Sequence, residues 1–218
     1  MPELDLLRAL PRSKRNITAR QTAKTPELIA LSRQYGREYF DGPRDVGYGG
    51  YRYDGRWVPV ARDIIAQYGL KPGDRVLDIG CAKGFLVKDL VAQGIDAYGV
   101  DVSEYAMMNC EPEIVGRLSI AASERLLFPD QSFDVVLAIN SLHNLKKPEL
   151  IQALREMERL ARKGKFLQVD SYRTPEEKEV FESWVLTAHT YGYPSEWEAI
   201  FNEAEYTGDY YWTFINGE

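Results

Sequence analysis

The residue with the most chemistry in its setting is Asp78. It stands near the end of a short apolar run, Val76-Leu77-Asp78-Ile79, that turns through Gly80-Cys81-Ala82-Lys83-Gly84 into a helix starting near Phe85. A helix that opens on a glycine turn is a ready anion site, because its unpaired N–H groups and the positive end of its dipole receive phosphate. A carboxylate at the strand end opposes that use and favours a ligand carrying positive charge. The glycines are spaced Gly-x-x-x-Gly, whereas dinucleotide domains approach a pyrophosphate through Gly-x-Gly-x-x-Gly, so hydride transfer is the weaker reading. Gly80 and Gly84 allow close backbone approach. Cys81 and Ala82 contribute small volume and backbone, with no thiol chemistry.

A cofactor of the required charge is S-adenosylmethionine, whose ammonium and sulfonium both gain from a nearby carboxylate in a partly dehydrated site. The stretch Leu70-Lys71-Pro72-Gly73-Asp74-Arg75-Val76-Leu77-Asp78-Ile79-Gly80-Cys81-Ala82-Lys83-Gly84 closely resembles the first motif of class I S-adenosylmethionine-dependent methyltransferases. Gly99-Val100-Asp101-Val102-Ser103 resembles that family's second motif, and Phe128-Pro129-Asp130-Gln131-Ser132-Phe133-Asp134-Val135-Val136 the approach to its fourth strand. The likeness is strongest to small bacterial enzymes of the quinone-biosynthesis group, which methylate varied metabolites and sugars.

The resemblance assigns ribose binding to Asp101, with Val102 beside it, against the plainer role of capping the next helix, for which Ser103 is better placed. It places the adenine near Ala122 and Ser123, where the acid or amide usual in the family is lacking. Asn140 and Ser141, ending the fourth strand, border the methionine part and the methyl. Methyl transfer needs a base only if the accepting atom must lose a proton. His143 is the leading candidate because its ordinary pKa of about 6.5 suits that task; packing on the following helix is the competing role. Asp170, ending the fifth strand, is the alternative base or a substrate ligand, against a role as a turn cap. No metal site is expected.

Acceptor identity points to residues 42–57, where glycines alternate with tyrosines and arginines. Tyr48, Tyr51 and Tyr53 offer flat faces with a polar tip, and Arg52 and Arg56 offer forks for carboxylate or phosphate. In related methyltransferases the segment before the first motif often forms a lid over the acceptor; a packed surface loop is the plainer alternative. Arg44 and Arg173 are expected to join Arg52 and Arg56 at the cleft, which suggests an anionic acceptor.

These groups must be held by a doubly wound α/β domain, in which ligands sit beyond the carboxyl ends of the strands where strand order reverses. Alternating patterns predict strands at Arg75–Ile79, 97–102, 118–121, Phe133–Ile139 and 166–169, and a last strand in 210–215. Helices are expected over 25–39, 57–68, 85–93, 104–110, 148–162, 175–187 and 195–204. The result is a mostly parallel, Rossmann-like sheet with helices on both faces. Residues 1–56 form an N-terminal extension with a helix and lid, and residues 57–218 the cofactor-binding catalytic domain.

At 218 residues with a net charge of −6, the chain buries one sizeable core and shows no basic footprint for nucleic acid. No apolar run approaches the roughly 20 residues that cross a bilayer, and acids stand where a signal peptide has bases. No membrane partner is expected, and the location read from this is cytoplasmic. The two cysteines, Cys81 and Cys110, make no disulfide framework. The expected function is methylation of a hydroxyl or amine on a small, anionic metabolite or sugar derivative. Two alternatives stand beside it: S-adenosylmethionine binding without turnover, as a sensor or partner subunit, and a protein or peptide acceptor met by the basic stretch around Arg12, Lys14, Arg15 and Arg20 with Trp184, Trp197 and Trp212. The sequence is silent on oligomeric state.

Overall fold

The computed structural model describes residues 2–11 and 15–215, so Arg12 and Lys14 of the basic stretch lie outside the described residues. Its six strands, β1 Arg75–Ile79, β2 Asp96–Asp101, β3 Leu118–Ile120, β4 Phe133–Ile139, β5 Ala161–Ser171 and β6 Asp209–Phe214, form one sheet in the order β3-β2-β1-β4-β5-β6. Every pairing among them is parallel. Central parallel strands are covered on both faces, and for that reason β1 and β4 read as nearly continuous apolar runs.

The two-residue strand period divides the core. Leu77, Ile79, Val136, Ala138, Leu167 and Val169 pack toward α7 Lys147–Leu160 and α9 Pro194–Ala204. Val76, Val135, Leu137 and Phe166 pack toward α4 Val58–Tyr68 and α5 Phe85–Ala92. Asp78 shares the parity of Val76 and is therefore directed to the α4–α5 side. Strand order reverses between β1 and β4, where β1 leaves for β2 on one side and β4 continues to β5 on the other.

Two stretches depart most from the expected elements. The helix expected over 25–39 is two helices, α2 Pro26–Ser32 and α3 Arg37–Phe40, preceded by α1 Ile17–Ala23. Thr25 caps α2 as its type requires, accepting from the Leu28 N–H. The break follows from Ser32, whose hydroxyl lies within hydrogen-bonding distance of the carbonyls of Leu28 and Val46, and from Tyr35, whose φ of 49° turns the chain out of the helix. Helix α7 stops at Leu160, and the residues expected to end it already pair with β4. Arg162 and Lys163 reach across to Asp134, which anchors this early start of β5.

At the far edge β6 lies parallel to β5, and Glu3 bridges Tyr210, with the Leu4 N–H donating to the Tyr210 carbonyl at 2.8 Å. Leu6 and Leu7 are buried in the α4–α5 cluster. Trp197 and Trp212 are core residues, with Phe201 stacked on Trp212 at 5.7 Å, so neither offers a contact surface. Among the described residues no helix is long and apolar enough to cross a membrane.

Candidate functional site

The strand ends converge on a cleft whose floor begins at Asp78. Its side chain is buried, 5 % exposed, yet no hydrogen bond or ion pair reaches the carboxylate among the described residues. Burial, and then the charge of Asp101, push its pKa up to about 7. The turn that follows is left-handed at Gly80, Ala82 and Gly84, with φ of 76°, 52° and 74°. A Cβ on Gly80 would come within 2.2 Å of the Ser141 Cβ, so this position admits only glycine while Ser141 stays in place. Ala82 has no such freedom; its left-handed backbone costs about 1–2 kcal/mol, offset in part by its N–H donating to Asp101 Oδ2 at 2.8 Å. The Cys81 thiol is buried against Gly99, and burial together with Asp78 and Asp101 holds it protonated.

Asp101 ends β2 and accepts the Ala82 and Ser103 N–H groups, one on each carboxylate oxygen, leaving lone pairs on both. The same N–H groups pull its pKa down, but burial outweighs them and raises it. Val102 and Ala122 are exposed just beyond β2 and β3, and Ser123 is half-buried. Asn140 follows β4 with φ of 51°, and its Oδ1 accepts from Thr213 of β6 at 2.9 Å. Ser141 donates to the Ile79 carbonyl at 2.8 Å, clamping the ends of β1 and β4 together.

His143 and Asp170 meet beside this floor. The Asp170 N–H donates to His143 Nδ1 at 3.3 Å, and His143 Nε2 lies 3.6 Å from Asp170 Oδ2. The two side chains thus stand together at the ends of β4 and β5, His143 buried and held at Nδ1 by the Asp170 backbone. The His143 carbonyl accepts the N–H groups of His189 and Thr190, which fixes the turn.

A roof of aromatic rings covers the floor. Tyr51 stacks on Phe85 at 4.7 Å, Tyr48 lies 4.4 Å from Tyr51, and Phe40 is sandwiched between Tyr48 and Tyr105. Tyr48 is 42 % exposed and forms the outer edge of this group, while burial first, and then Tyr48 and Asp78, raise the Tyr51 phenol pKa. Tyr53 is turned away, donating to Asp89 at 2.6 Å with Lys88 over its ring.

The structure does not bring the expected arginines together. Arg56 is held by Asp54 and Arg173 by Glu177, each through several N–H donors, and Arg52 is exposed without a partner among the described residues. Arg44 instead joins Arg15 and Arg20 around the Trp184 ring.

Sequence reasoning missed the fastening of the roof. Lys83, in the β1–α5 turn, is buried and donates to Asp41 at 2.6 Å and to the Tyr51 carbonyl at 2.9 Å. Asp41 also accepts from Tyr105 and from the Tyr51 N–H. A lysine inside a glycine turn was the available signal; its partner 42 residues away was not legible. A separate cleft of about 280 Å³ beside Lys24, Arg33, Glu182 and Tyr191 contains none of the strand-end residues.

Residues 77–169 match the family model described as a methyltransferase domain. The chain is similar to 2-methyl-6-phytyl-1,4-hydroquinone methyltransferase of Synechocystis, 26% identical over 69% of this chain and 54% of that protein. It is also similar to demethylmenaquinone methyltransferase of a Mycobacterium species, 32% identical over 52% of this chain and 48% of that protein. The chain thus spans about half the length of these relatives. A solved S-adenosylmethionine-dependent methyltransferase from Archaeoglobus fulgidus shares the fold, with a TM-score of 0.56 at 20% identity over 77% of this chain and 71% of that one.

Proposed function

We propose that this chain, whose residues 77–169 match a methyltransferase-domain model, is a class I S-adenosylmethionine-dependent methyltransferase that transfers a methyl group to a hydroxyl or amine of a small metabolite. The observation that carries this reading is Asp78: a buried carboxylate with no hydrogen-bond or ion-pair partner among the described residues fits a cationic ligand and opposes a phosphate. Its place at the strand-order reversal is where α/β sheets bind cofactors.

The residues present fit the cofactor. Asp78 would hold the ammonium, and the free lone pairs of Asp101 would take the ribose hydroxyls. Val102, Ala122 and Ser123 would border the adenine, while Gly80, Cys81, Ala82 and Gly84 shape the turn around the methionine part, with Asn140 and Ser141 across from it. When bound, S-adenosylmethionine supplies an electrophilic methyl on a positively charged sulfur.

The chain's own work is alignment, exclusion of water and removal of a proton. Holding acceptor and methyl in line could supply roughly 7–11 kcal/mol of the barrier. The Tyr48 and Tyr51 rings close the cleft from above, and their flat faces suit a planar acceptor. Asp170 is the group we assign to take the acceptor's proton, with His143 beside it, its Nε2 3.6 Å from the carboxylate, in a positioning role. That pair favours turnover over binding alone. The finer reading, an anionic metabolite or sugar derivative, rests on the arginines near the acceptor side.

The test is release of S-adenosylhomocysteine when purified protein meets S-adenosylmethionine and a panel of phenols, carboxylated phenols and amino sugars. Release with one acceptor class supports the reading; failure to bind the cofactor at all would overturn it.

A further inference from the structure

We infer that Arg15, Arg20 and Arg44, gathered on the indole of Trp184, form the subsite that grips a carboxylate or phosphate of the methyl acceptor. This deepens the methyltransferase reading of the same cleft and rests on it.

The three guanidinium carbons lie 5.8, 4.4 and 5.5 Å from the centre of the Trp184 ring. Trp184 ends α8 Pro175–Trp184, the helix after β5, and Arg44 belongs to the roof loop that carries Tyr48. Arg44 donates to the Tyr48 carbonyl and Arg15 is within electrostatic reach of Asp170, so the cluster lies next to both the tyrosine loop and the end of β5.

The three arginines are not equivalent. Arg20 is buried and spends Nη2 on the carbonyls of Arg44 and Gly47, so it supports the loop. Arg44 uses Nη1 on the carbonyls of Gly47 and Tyr48, leaving the rest of its fork free. Arg15 makes no hydrogen bond or ion pair among the described residues, so its five N–H donors are available.

Asp170 acts on Arg15 and Asp45 on Arg20, while Arg44 repels both other arginines. Arg15 and Arg20 are partly desolvated and both are repelled by Arg44, so an anionic ligand among the guanidinium groups would relieve that repulsion. A guanidinium fork takes carboxylate or phosphate through two parallel bonds. An acceptor held there by its anion would extend its far end past Asp170 toward the methyl.

The test is calorimetric titration of the full chain, with and without S-adenosylhomocysteine, using benzoate, phenyl phosphate and benzyl alcohol as probes. At least one anion should bind about tenfold or more tightly than the alcohol, with the tighter anion identifying the acceptor's group. Arg15→Gln and Arg44→Gln should each weaken anion binding about tenfold while leaving S-adenosylhomocysteine affinity unchanged. Arg15→Gln removes no bond within the described protein, and a matching circular dichroism spectrum confirms its fold; Arg15→Lys should retain part of the affinity. Equal binding of anion and alcohol, binding of neither anion, or anion affinity unaffected by both variants would overturn the subsite. If S-adenosylhomocysteine binds and the anions do not, this inference fails and the methyltransferase reading stands; if the anions respond to Arg15→Gln but S-adenosylhomocysteine never binds, the methyltransferase reading fails and takes the cluster's acceptor role with it, leaving only an anion site.

Discussion

Lys83 Nζ lies 2.6 Å from Asp41 Oδ2, and this one contact ties the glycine turn beneath the cleft to the aromatic roof above it. Both side chains are largely shielded, so removing one leaves the other's charge poorly compensated. Lys83→Met should destabilise the protein by about 1–3 kcal/mol and loosen residues 41–53. Hydrogen exchange by mass spectrometry checks this: faster exchange confined to that segment and to the β1–α5 turn is expected, and unchanged protection would remove the fastening role.

Gly80→Ala should be among the most damaging single methyl additions, because the new Cβ meets Ser141 at 2.2 Å and the backbone is left-handed. A loss of about 2 kcal/mol or more is expected in urea unfolding. Adding Ser141→Gly should recover the steric part and leave the backbone part. No recovery in the double variant would show that the contact is not the cause.

Asp78 links cleft chemistry to stability. Its folded pKa of about 7 stands above the unfolded value of about 3.9, so between those limits the native state binds the extra proton. Its contribution is full below pH 4 and is lost as pH rises through 7. Asp78→Asn should therefore gain stability over wild type, by roughly a few kcal/mol at pH 8 and much less at pH 4. Parallel stability profiles for the two proteins would contradict the raised pKa.

Asp170 and His143 divide one task unequally. Asp170→Asn removes the group placed to take a proton and should lower kcat by about 10²–10⁴ with little change in cofactor affinity. His143→Gln keeps a polar group near the carboxylate and should cost less in kcat. A larger kcat loss in His143→Gln than in Asp170→Asn would reverse these roles.

The parallel core, the glycine turn and Asp101 were legible because each depends on local pattern: two-residue burial, a strand running into a turn, an acid at a strand end. The split of the 25–39 helix was not, since it depends on Ser32 reaching Val46 and Ser103 reaching the Tyr35 carbonyl. The arginines were misassigned for a similar reason. Arg56 and Arg173 have acids two and four residues away that take their donors, which spacing alone could have suggested. The pairing of Arg15 with Trp184 spans most of the chain and left no local trace. Tyr48 and Tyr51 as roof were readable from the loop's composition, but Lys83 as its fastener was not.

The most direct measurement is calorimetric binding of S-adenosylhomocysteine to wild type and to Asp78→Asn from pH 5.5 to 8.5. Its ammonium should favour the ionised carboxylate, so wild-type affinity should rise about tenfold per pH unit up to about 7 and then level, with proton release below that point. Asp78→Asn should bind far more weakly with that rise abolished. Absence of binding by well-folded wild type, or equal affinity and pH dependence in the two proteins, would contradict the assignment of Asp78 as the cation's partner.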